Sequence, residues 1–95
     1  MLDKIKELMQ LKSKMEEMKK QLDAETVEAA SGDGLVHVKM NGSQRVTEVK
    51  INSAGAQPQA LEQAVRETVN RAIELSMQLA AKKMGAVAGL NFPGA

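Results

Sequence analysis

Between Leu35 and Ile51 the chain alternates apolar and charged residues on both sides of Asn41-Gly42, and on each flank it changes to the three-and-four spacing of a helix. Residues i and i+2 share a strand face, whereas i, i+3 and i+4 share a helix face, so each change of period marks a change of element. In the alternating stretch Val36, Val38 and Met40 point one way, and His37 and Lys39 the other. Asn41-Gly42 predicts a two-residue hairpin of type I′, which needs positive φ at both central residues. Arg45 to Ile51 is the next strand, with Thr47, Val49 and Ile51 on one face and Glu48 and Lys50 on the other. A weaker alternation over Thr26–Ala29 ends in the turn signal Gly32-Asp33-Gly34 and supplies a first strand.

The flanks read as helices. Residues 3–23 contain no Gly or Pro and are rich in Lys, Glu, Leu, Met and Gln, all good helix formers. Leu8, Leu11, Met15, Met18 and Leu22 follow the a/d spacing of a heptad, which predicts helix or dimer packing along that seam. A second helix is expected over Gln59–Met84, with Pro58 in its first turn. Leu61, Val65, Val69, Ala72, Ile73, Ser76 and Ala80 form its stripe. Gly85 is expected to close it as a C′ residue, with Lys82 and Lys83 in the last turn. The predicted fold is α+β: long N-terminal helix, three-stranded antiparallel meander, long C-terminal helix. It forms one domain over 1–85, with a flexible tail over 86–95.

Composition adds one constraint. Phe92 is the only aromatic residue, so the core is built from Ala, Val, Leu and Met. Such a core has limited area to set against conformational entropy, and oligomerisation is a usual remedy in a domain this small. A homodimer is therefore expected. There is no cysteine, which removes disulfides and thiolate metal sites. No apolar run suits a signal peptide or a membrane span. The reading is a soluble intracellular protein with no membrane partner.

No constellation suggests catalysis. His37 is the only histidine, and a metal site needs several converging ligands. Asp33 between two glycines is a turn residue. The serines lack a nucleophile-elbow context. Met9, Met15 and Met18 read as packing residues. The informative charges are lysines: Lys4, Lys6, Lys12, Lys14, Lys19 and Lys20 on the first helix, Lys82 and Lys83 on the second. Asp3, Glu7, Glu16, Glu17 and Asp23 are interleaved with them, and the net charge is only +1, so charge alone describes a solvated mixed face.

The ordered set of features resembles the YbaB/EbfC family of bacterial nucleoid-associated proteins, over nearly the whole chain. Gly34-Leu35-Val36-His37-Val38 resembles the family's Gly-Leu-Val-x-Val strand, and Gly42 its following turn. Val46–Ile51 resembles the strand ending in Val-x-Ile. Val69-Asn70-Arg71-Ala72 resembles the Ala-x-Asn-x-Ala core of the second helix, and Lys83-Met84-Gly85 its closing segment. One departure is Asn52, where the family usually has an acidic residue. The resemblance implies a homodimer whose sheets associate and whose long helices project like tweezers. It also implies duplex DNA binding with little sequence preference, a change in DNA conformation, effects on nucleoid organisation and gene expression, and no cofactor. The eight lysines named above are then the expected DNA contacts. The competing reading is a dimeric adaptor that docks a replication or recombination protein.

Overall fold

A computed structural model describes residues 2–88. The elements are α1 (Leu2–Ala24), β1 (Thr26–Ala30), β2 (Val36–Asn41), β3 (Val46–Ile51) and α2 (Pro58–Ala88). The strands form one antiparallel sheet in the order β1-β2-β3. The expected architecture is therefore present.

One sheet face packs on α2. Ala29, Val36, Val38 and Met40 meet Ala64 and Ala72, and all are buried. On α2 the closest row is Ala64, Thr68, Ala72 and Ser76, spaced by four and all buried. Their small side chains allow the helix axis to approach the strands. The larger row expected to face the core, Leu61, Val65, Val69 and Ile73, is only half-buried. The stripe is thus centred on its small residues, because bulky ones there would hold the helix off the sheet.

Three expectations are corrected. First, the hairpin is not a type I′ turn at Asn41-Gly42. Positive φ falls on Gln44 (63°), the Gln44 N–H donates to the Asn41 carbonyl (3.2 Å), and the Asn41 N–H donates to the Arg45 carbonyl (2.9 Å). This is a three-residue loop closed by a left-handed residue. Asn41 stabilises it further, since its Oδ1 accepts from the N–H groups of Ser43 and Arg45, both at 3.0 Å.

Second, the pairing shifts beside Lys39/Met40, so that Met40 faces Val46 while Lys39 faces Glu48. Thr47 becomes the extra residue of a bulge. Val46 replaces it beside Val49 and Ile51, opposite Met40, Val38 and Val36. Third, α2 runs through Gly85 to Ala88, so Gly85 does not cap it and Lys82 and Lys83 lie short of its last turn. The alanines around Gly85 offset its propensity cost of about 1 kcal/mol. The expected 86–95 tail thus begins as helix over 86–88, and the rest of it lies outside the described residues.

Helix α1 stands apart from this two-layer body. Only Met18 and Leu22 are buried. Leu8, Leu11 and Met15 keep 65%, 50% and 49% of their surface exposed. The Cα radius of gyration is 18.1 Å, and the molecule measures 66 × 27 × 15 Å. A compact domain of this length would have a radius near ~12 Å. The excess reflects long helices that leave the body.

Candidate nucleic-acid interface

The α1 arm carries most of the lysines. Lys4, Lys6, Lys12, Lys14, Lys19 and Lys20 are all exposed. Among the described residues, none of them is in an ion pair. At about 100° per residue they spread around the helix, and Lys12 and Lys19 border the apolar stripe. Together with Leu8, Leu11, Met15, Met18 and Leu22 these two line an open groove of about 600 Å³. At the base of the arm Lys19 and Arg45 line a second open cleft of about 510 Å³ with Asp23, Asn41 and Ser43. Arg45 is a cation that no sequence pattern singles out. It lies on the hairpin, far from Lys19 in sequence, and only the docking of α1 brings them to one cleft.

The two lysines of α2 differ from each other. Lys82 is exposed. Lys83 is half-buried, and its Nζ lies 2.8 Å from Glu25 Oε1 just after α1. Its charge is already engaged inside the protein.

The outer sheet face is charged but internally matched. Lys39 bridges Glu28 (3.6 Å) and Glu48 (3.3 Å), His37 lies 3.5 Å from Glu28, and Lys50 lies 3.8 Å from Glu48. The hydrogen bond and charge of Glu48, with help from Glu28, hold Lys39 above the ordinary 10.5. The hydrogen bond from Lys39, then the charge of Lys50, holds Glu48 below the ordinary 4.5. Glu48 is depressed on folding, so its contribution is present above the ordinary carboxylate value and is lost as pH falls through the lowered one. Lys39 is raised, so its contribution is present below 10.5 and is lost as pH rises through the higher value. Glu48→Gln is therefore expected to lower the melting temperature slightly at neutral pH. In strong acid, where both chains carry a neutral side chain, the difference should vanish. A melting series across pH checks this.

Asp33 is the turn residue that the sequence suggested. Its Oδ1 accepts from Ser31 Oγ (2.6 Å) and the Leu35 N–H (3.1 Å), which hold its carboxyl below the usual value. Gly34 beside it has φ 76°. Among the described residues no group of three or more His, Asp or Glu side chains could hold a metal.

The residues that build the arm's footing were not legible as functional. Ser76 Oγ donates to the Asn41 carbonyl (2.8 Å) and accepts from the Gln44 N–H (3.2 Å), pinning the hairpin to α2. Ser76→Ala removes both bonds, while the Gln44 N–H keeps the Asn41 carbonyl as its partner. It should lower unfolding free energy by about 0.5–1.5 kcal/mol, with an unchanged denaturant slope in urea melts.

The comparisons agree with this architecture. The chain matches the YbaB/EbfC DNA-binding family over residues 1–90. It is 39% identical to a nucleoid-associated protein of Syntrophobacter fumaroxidans, across 88% of this chain and 80% of that one. It is 35% identical to a nucleoid-associated protein of Myxococcus xanthus, across 95% and 90% of the two chains. The crystal structure of an uncharacterized Helicobacter pylori protein shares the fold at a TM-score of 0.70, with 18% identity, over 87% of this chain and 98% of that one. With a helical arm, a three-stranded meander and a closing helix in the expected order, and a match that spans all the described residues, the chain belongs to the YbaB/EbfC DNA-binding family.

Proposed function

We propose that this protein is a nucleoid-associated homodimer that grips duplex DNA with its two α1 arms, with little base readout, and thereby alters DNA conformation. The observation that carries the reading is an arm of exposed lysines, free of ion pairs among the described residues, on a member of a DNA-binding family. Lysine acts as a point charge toward phosphate and lacks the bidentate fork with which arginine reads guanine. Binding would be driven by counterion release and would weaken steeply with salt. The six α1 lysines and Lys82 are the proposed contacts, with Arg45 added at the base. Lys83 is left out because Glu25 holds it. Localisation to the nucleoid and influence on gene expression follow from this reading. Among the described residues no helix is long and apolar enough to cross a membrane.

Dimerisation is supported by what the single chain leaves uncovered. Val46, Val49 and Ile51 on β3 are each about half exposed on the apolar sheet face, and β3 is an edge strand. Such a face is a natural seat for a second copy. Val49→Glu should shift the protein from dimer to monomer in sedimentation at micromolar concentration, and duplex affinity should fall with it because two arms no longer act together.

The direct test is fluorescence anisotropy of a labelled random-sequence duplex at low and physiological salt. Saturable binding that unrelated duplex competes equally, and that collapses with salt, is the expected result. Absence of binding at tens of micromolar in low salt would overturn the reading.

A further inference from the structure

We propose that Gly42 and the Glu25–Lys83 pair form a lock that sets the direction of the α1 arm, and that this direction governs the arm's grip on DNA. The inference rests on the DNA-binding reading for its second half only.

The arm is held at one end. Every residue from Leu2 to Glu17 is exposed, so about 16 residues, or roughly 24 Å of helix, extend beyond the buried Met18. A tilt of about 15° at the base would move the tip by roughly 6 Å, more than the ~3.4 Å axial spacing of phosphates along one strand. Whatever fixes the base therefore decides which phosphates the lysines can reach.

The base is fixed by backbone contact. The Gly42 N–H lies 2.8 Å from the Leu22 carbonyl and 3.1 Å from the Glu25 carbonyl and donates to both. These oxygens belong to the last turn of α1 and the residue after it, where carbonyls lack helical partners. A Cβ on Gly42 would lie 2.9 Å from the Leu22 carbonyl oxygen and 3.2 Å from its Cα. Both are backbone atoms, so the helix end would have to move. Gly42 is not among the positive-φ glycines, so close approach, not turn geometry, accounts for it. Asn41 Nδ2 reaches the Asp23 carbonyl (3.4 Å), and Ser43 Oγ donates to the Asp23 carboxylate.

A second clasp comes from α2. Lys83 Nζ meets Glu25 Oε1 at 2.8 Å, while Glu25 Oε2 is buried with no partner. Removing the lysine would leave a half-buried carboxylate with no countercharge, and the segment joining arm to sheet would swing toward water to solvate it.

The chain has no cysteine, so Gln10→Cys and Glu62→Cys can carry spin labels on the arm and on α2. The doubly labelled chain is diluted into excess unlabelled protein, and the interlabel distance is measured in the parent, in Gly42→Ala, in Lys83→Met and in Lys83→Arg. A narrow distribution is expected for the parent and for Lys83→Arg, and a shifted or broadened one for Gly42→Ala and Lys83→Met, with far-ultraviolet dichroism retained. If Gly42→Ala does not fold, Lys83→Met decides alone. Unchanged distributions in the folded variants would overturn the lock. Duplex affinity of the unlabelled variants should fall by an order of magnitude or more although every α1 lysine remains, because both arms must engage together. A broadened distribution with unchanged affinity overturns the link to grip. Failure of the parent itself to bind duplex is a failure of the DNA-binding reading, and the distances then judge the lock on its own.

Discussion

Replacing Lys4, Lys6, Lys12 and Lys14 by glutamine should weaken binding to a random duplex by at least roughly tenfold at low salt and flatten its salt dependence. Every phosphate that no longer meets a lysine should reduce the slope of log K against log salt by about 0.9. Glutamine keeps the helix propensity and much of the reach of the side chain, and all four positions are exposed. The melting temperature and the dimer should therefore be unaffected. The control is Lys39→Gln with Lys50→Gln. These cations already lie among Glu28 and Glu48, and their removal should change affinity little. Anisotropy titrations at several salt concentrations measure both. Equal losses per lysine removed, four on the arm against two on the sheet, would show that only overall charge matters and would sink the arm as the binding element.

Met40→Ala should lower unfolding free energy by about 2–5 kcal/mol, whereas Met15→Ala should stay within about 0.5 kcal/mol in the monomer. Met40 is 1% exposed, at the centre of the contact between β2 and α2. Its deletion leaves a cavity in a core that, among the described residues, contains no aromatic side chain to collapse into it. A domain of this size has a total stability of only about 5–14 kcal/mol, so the deletion removes a large share of it. Met15 stands on the arm, half exposed. Urea melts with the slope held in common give both values. A large cost for Met15→Ala that grows with protein concentration would show that the arm stripe packs against a second copy.

The contrast between these methionines shows how far the sequence could be read. Period, with turn residues and helix-forming composition, located α1, the three strands and α2, because each element has one apolar face and the spacing of apolar residues records which. It also placed Val36, Val38 and Met40 on the inner face and His37 and Lys39 on the outer one, as found. It did not separate Met18 and Leu22, which are buried, from Leu8, Leu11 and Met15 on the same stripe, which are not. A heptad states that a face is apolar but not what covers it. The α1 lysines became candidate contacts through the family resemblance and not through their pattern, and the pairing of Lys83 with Glu25 was not legible, since Glu25 lies 58 positions away in the chain.

The sequence by itself determined the elements, their order and the inner face of the central strand, since these depend on interactions between residues a few positions apart. Tertiary structure decided the rest. It chose the small residues Ala64, Thr68, Ala72 and Ser76 as the line of closest approach of α2, because helix and sheet meet where side chains are shortest. It made Gly42 the footing of the arm in place of a turn glycine, because the end of α1 returns to the hairpin across a long stretch of intervening chain. It moved the left-handed residue from Asn41-Gly42 to Gln44, where Asn41 is held by Ser76 and Asp23 from outside the turn, and it introduced a bulge at Thr47. Contacts of this kind join residues far apart in the chain, and local patterning carries no record of which distant partner each residue will meet.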